Sequence, residues 1–173
     1  MECSSSGLLL PRLGCILSYD GDLLDVAINY ALLGLACLTW LQFVKDEEST
    51  VEQLGRMQHL ACFLFFTVYQ IVLCLILGCA GISIIWNACA GFLLTASFLR
   101  SQRGFKLKPW PFVLAGVCLL ADVYYFVTSE LLTTIAHVAA VLMGAVVRLV
   151  CSLCQQSSSQ NDPHSGSLRH DRD

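Results

Sequence analysis

The chain has 173 residues, of which 56% are hydrophobic and 13% charged, and its formal net charge is −3. With a mean hydropathy of +0.67 it cannot be a water-soluble domain, because an interior of this size cannot hide so much apolar side chain. No face concentrates basic residues, which excludes a nucleic-acid partner.

Residues 1–22 carry an apolar stretch interrupted by Pro11 and Arg12, with a longer apolar run soon after, so they read as a lead-in and not as a signal peptide. That first run, 23–44, is broken only by Asp25 and Asn29 and ends at Lys45-Asp46-Glu47-Glu48. As a helix it is long enough to cross a hydrocarbon core of ~30 Å. Ser49-Thr50-Val51-Glu52 has the pattern of a capping box, which starts the next helix ahead of the membrane. A single helix over residues 59–99 would be about 60 Å long, twice the core thickness, so the chain must turn at Gly78-Cys79-Ala80-Gly81.

A basic loop over residues 100–108 follows, closed by Pro109-Trp110-Pro111 with Trp110 as an interfacial anchor. Residues 112–150 are again too long for one crossing, and Thr128-Ser129-Glu130 is the polar break within them. The stretch 155–173 is rich in Ser, Gln, Asp and His and reads as a disordered cytosolic tail. The expected fold is therefore all-α, a multi-pass transmembrane helical bundle over residues 23–154. Its five spans fall at about 23–44, 58–77, 82–99, 112–127 and 131–150. Four spans is the alternative, with one hairpin merged.

Five crossings leave Arg12 alone on one side and the other nine of the 10 Lys and Arg residues on the other. By the positive-inside rule the N-terminus is lumenal or extracellular and the C-terminus cytosolic. Short spans suit the thinner early secretory membranes, which points to an endomembrane location (endoplasmic reticulum or Golgi) over the plasma membrane.

Polar groups inside apolar spans are the first candidates for function. Here they are Asn29, Gln70, Asn87, Asp122 and His137. Counting from the expected turns puts Asp122 and His137 at matching depth, about 11 Å below the hairpin tip, with Asn87 level with them. The functional reading is an ionisable Asp122–His137 pair in a proton relay or along a path for substrate or ions. The plainer reading is cross-helix hydrogen bonding that fixes the packing. Which way each side chain faces does not follow from depth.

Cys37, Cys62, Cys74, Cys89 and Cys118 lie within apolar stretches and read as small hydrophobes. Cys151 and Cys154, just past the last span, are candidates for S-palmitoylation. Arg100, Arg103, Lys106 and Lys108 are candidate contacts to anionic lipid headgroups, and His59 reads as interfacial. Ala136, Ala140 and Gly144 form a small-residue stripe that admits a close helix neighbour, either inside the bundle or in a dimer. No spacing of His, Cys or acidic residues predicts a metal site, no cofactor is implied, and no phosphate-binding, nucleophile-elbow or metalloprotease motif is present.

The reading favoured by the sequence is a membrane interaction or assembly component. Its partners are the lipid bilayer and either further copies of itself or other membrane proteins. A small oligomeric channel or transporter subunit using the polar layer is the alternative. A lipid-modifying enzyme with Asp122 or His137 as its acid–base residue ranks last, because such sites gather more polar groups than the sequence reveals.

Overall fold

The computed structural model describes residues 23–47, 56–77, 82–128 and 131–160. The lead-in, the Ser49–Glu52 capping pattern, the turn residues 78–81 and 129–130, and the chain beyond Gln160 lie outside the described residues, as do the side chains of Asp25 and Cys74. Five helices make up the rest: α1 (Leu23–Glu47), α2 (Arg56–Leu77), α3 (Ser83–Gln102), α4 (Trp110–Thr128) and α5 (Leu131–Gln160).

The helix ends follow local chemistry. α3 stops in a Schellman motif: the Phe105 N–H reaches the Arg100 carbonyl at 3.2 Å and the Gly104 N–H reaches Ser101 at 3.0 Å. Gly104 makes this possible with φ of +83°. α4 starts at Trp110, two residues before the expected span, and holds Pro111 in its first turn, where a missing N–H leaves no bond unmade. α5 does not stop near the membrane boundary expected from composition. It continues to Gln160, because no Gly or Pro interrupts residues 145–160.

α3 is the hub. It packs most extensively on α5, and also on α4, α1 and α2, while α4 touches α1 and α5. Residues 82–93 are buried without a break. Partners across helices show how the helices run. Asn29 and Trp86 meet near the starts of α1 and α3, and Asp122 near the end of α4 meets His137 near the start of α5. Cys62 near the start of α2 meets Cys151 late in α5. α1, α3 and α5 therefore begin at one end of the bundle, termed the first end, and α2 begins at the second.

The α3–α5 seam brings two helix backbones into close approach. A Cβ built on Gly144 would lie 2.0 Å from the Ala88 carbonyl oxygen, and one on Gly91 would lie 2.0 Å from that of Val141. Each helix thus offers a glycine to the other's backbone. Ala136 and Ala140 are buried along the same helix. The small-residue stripe of α5 is used inside the bundle, against α3.

Toward the second end the core is aromatic. Trp40 stacks on Phe92 with centroids 4.6 Å apart, and Phe66 meets both edge-on. The outside is apolar. Leu38 and Leu41 on α1, Val68 and Ile76 on α2, Leu120 on α4 and Leu142 on α5 are all exposed.

Among the described residues three helices are long and apolar enough to cross a membrane, over Val26–Lys45, Ser83–Gln102 and Thr133–Gln155, and the apolar stretches of the other two are shorter, Met57–Leu73 and Trp110–Tyr124. Of the three, α3 is both the least apolar and the most buried, the reverse of a water-soluble core.

Candidate functional site

Four polar residues from three helices converge at the first end. His137 lies one and a half turns into α5 and is almost fully buried. Its Nδ1 is 2.7 Å from Asp122 Oδ1 on α4, and its Nε2 is 2.7 Å from Ser83 Oγ on α3. Asn87 Nδ2 donates to the same Asp122 oxygen at 3.4 Å. The Asn87 Oδ1 is buried with no hydrogen-bond partner among the described residues. Beside the imidazole, at 5.7 Å between ring centroids, sits Trp86, whose Nε1–H donates to Asn29 Oδ1 at 3.2 Å.

The directions follow from the backbone. Helical side chains lean toward their own N-terminus. His137 on α5 therefore tilts toward the first end, and meets Ser83 there. Ser83 and Asn87 are four apart on α3 and share one face, so the two residues reach His137 and Asp122 side by side.

Proton placement is assigned from this network. An ionised Asp122 can only accept, so Nδ1–H donates to it. The lone pair of Nε2 then faces the Ser83 hydroxyl, which donates. A hydroxyl bonded to an imidazole that is oriented by a carboxylate is the arrangement of an activated nucleophile. Ser83 is also the first residue of α3, and no side chain among the described residues caps that terminus. The amide dipoles of the first turn therefore add positive potential beside Oγ.

The sequence brings Asn87, Asp122 and His137 together by depth, and the structure joins them. Asn29 belongs to the same end through Trp86. Gln70 is buried seven residues before the end of α2, and none of these bonds involves it. Ser83 is the member that sequence reasoning missed. Its signal is the four-residue spacing to Asn87, available once α3 is placed.

At the second end, His59, in the first turn of α2, is buried against its neighbours: its ring lies edge-on to Trp40 at 5.7 Å and 6.1 Å from Phe92. The hydrophobic contacts of Phe43 and Phe92 draw the ring inward. The Arg148 guanidinium, also buried, lies 5.6 Å from the Phe92 ring centroid. In the basic loop, Arg100 sits over Phe43 and Phe105, 5.5 Å from each centroid, while Arg103, Lys106 and Lys108 are exposed. Cys151 is half-buried with its sulfur 3.8 Å from Cys62, and Cys154 is exposed. Among the described residues no group of three or more His, Cys, Asp and Glu could hold a metal ion.

No protein-family model matches the chain, and neither does any curated protein or solved structure. Geometry is therefore the sole guide to function.

Proposed function

We propose that the chain is a five-span integral membrane protein that carries out acid–base chemistry on a membrane-resident molecule at His137, in the lumenal half of the bilayer. The observation that carries this is the His137 imidazole held at 2.7 Å from both Asp122 and Ser83. A buried imidazole needs a partner on each of its two nitrogens, and here those partners are a carboxylate and a hydroxyl. A ring with a carboxylate on one nitrogen and a hydroxyl on the other is set up to move a proton. The bilayer is supported by the apolar exposed faces around a more polar hub. The 22 residues of α2 and 19 of α4 reach about 33 and 28 Å, so they too match a core of ~30 Å.

The other two roles have less behind them. A channel or transporter needs a polar path from end to end. Phe66 and Phe92, each at the middle of its helix, are fully buried and pack edge-on against each other. An assembly role needs a docking face, and the small-residue stripe is already taken up by α3. In the five-span arrangement Arg103, Lys106 and Lys108 lie at the cytosolic surface, where they contact anionic headgroups, and Cys154 is the more accessible candidate for palmitoylation.

The test is product formation in reconstituted vesicles. Protein in a mixed membrane-lipid extract is incubated and the lipids are followed by mass spectrometry, beside the His137→Gln variant. New products with the wild-type chain alone are expected. Identical lipid profiles would sink the acid–base reading.

A further inference from the structure

Building on acid–base chemistry at His137, we infer that Ser83 is the nucleophile of an acyl-transfer site, with His137 as its base and Asp122 as the positioning residue, acting on a fatty acyl ester of a membrane lipid. The hydrogen bonds run in a line, Asp122 Oδ1 to His137 Nδ1 and His137 Nε2 to Ser83 Oγ, both at 2.7 Å. Nucleophile and base are within the 2.6–3.2 Å that proton transfer requires. The members come from three helices, so the tertiary fold and no local sequence preference creates the line.

The chemistry balances without any group from outside except water or an acceptor alcohol. Ser83 Oγ attacks the ester carbonyl carbon while its proton passes to His137 Nε2. The tetrahedral oxyanion collapses, the bond from carbon to the alcohol oxygen breaks, and the departing alcohol takes the proton from Nε2. Ser83 is left acylated. Water, or a second lipid alcohol, then attacks the acyl carbon and gives its proton to Nε2. Collapse returns that proton to Ser83 Oγ and releases the fatty acid or the transferred ester. The imidazolium formed in each half is stabilised by Asp122, to whose Oδ1 Asn87 also donates. The amide dipoles at the start of α3 add positive potential beside Ser83 Oγ, which favours the developing oxyanion.

Two observations select the substrate class. The side chain of Asp122 keeps 14% of its surface exposed, and its α4 neighbours Leu119, Val123 and Phe126 are exposed apolar residues. The Asp122 edge of the site therefore borders an apolar flank, which suits an acyl chain, while Ser83 and His137 are buried behind it. The buried Asn87 Oδ1 with no partner among the described residues is an acceptor placed for a hydroxyl of the leaving or attacking alcohol.

The experiment uses an alkyl fluorophosphonate, which phosphonylates an activated serine. Full-length protein in phospholipid vesicles is treated with the probe, digested and mapped by mass spectrometry. The adduct is expected on Ser83. Its rate should fall at least a hundredfold in Asp122→Asn at unchanged thermal stability, and labelling should vanish in Ser83→Ala. No adduct, an adduct on another residue, or an unchanged rate in Asp122→Asn overturns the assignment. Mapping the wild-type adduct needs no variant, so a variant that fails to fold leaves the test intact. Lipid products without a Ser83 adduct would leave His137 acid–base chemistry standing and remove the covalent step alone.

Discussion

At the scale of single residues, Trp86 and Asn29 show how a polar group is accommodated in an apolar bundle. The Trp86 indole is fully buried, and its N–H finds the Asn29 carboxamide oxygen on another helix. Replacing Asn29 by Leu leaves that donor buried without this acceptor. The expected loss is about 1–3 kcal/mol, read as a lower unfolding midpoint in detergent. An unchanged midpoint would mean the bond is not made. At Asp122, the change to Asn removes the charge that fixes the His137 tautomer, and turnover is expected to fall by about 10²–10⁴-fold with little change in stability. Asp122, His137 and Asn87 were legible in the sequence because charge and amide groups are rare in apolar runs, and counting from the turns gives their depth. Their facing was not legible, since it depends on helix rotation. Ser83 escaped for another reason. Hydroxyls are common in apolar helices and usually bond their own backbone, as Thr39 does to Leu35 at 2.8 Å and Thr67 to Phe63 at 3.1 Å.

The element scale is governed by the α3–α5 seam. Gly144→Ala would press a methyl into the Ala88 carbonyl, and Gly91→Ala into that of Val141, each with an approach of 2.0 Å before relaxation. Both carbonyls are backbone atoms in the middle of helices, so relief requires the helices to part. Each change is expected to cost about 1–3 kcal/mol or more. Gly34 and Gly116 have nothing within 4 Å, and alanine there should leave stability unchanged or raise it by up to about 1 kcal/mol. A midpoint series in which all four variants behave alike would contradict the seam. The helices themselves were legible from hydropathy and breakers. Where each one stops was less so, because composition marks the membrane boundary while hydrogen bonding sets the helix end. α5 passes that boundary through residues that are polar yet compatible with helix.

For the whole molecule, the five-span arrangement makes a topological statement. Single reporter thiols at Ser4, Ala80 and Ser129 are expected to label only from the lumenal side, and those at Gly55, Gln102 and Ser165 only from the cytosol. Ser4 and Ser165 labelling from one side would remove an odd number of spans. The packing can be checked independently through Cys62 and Cys151, whose sulfurs are 3.8 Å apart on α2 and α5. With the other cysteines replaced, mild oxidation by diamide should join them. Cleavage in the loop between α3 and α4 should then yield fragments that separate only after reduction. Fragments that separate without reduction would show that α2 and α5 do not meet this way. Hydropathy made the apolar helices legible, but not which of them is central. Centrality depends on which faces complement each other, and no single helix carries that information.

The burial of α3 has a consequence for how the chain is made. Synthesis delivers α3 before α4 and α5, yet α5 is its main neighbour and both later helices supply partners for its polar face. For the time needed to translate some sixty further residues (at about 5–20 per second) the least apolar of the three longest apolar helices waits with Ser83, Asn87 and the Gly91 groove uncovered. Nascent chains ending at Lys108 are therefore the form on which insertion factors and quality control would act. They should be extracted from the membrane and degraded faster than chains ending at Gln160.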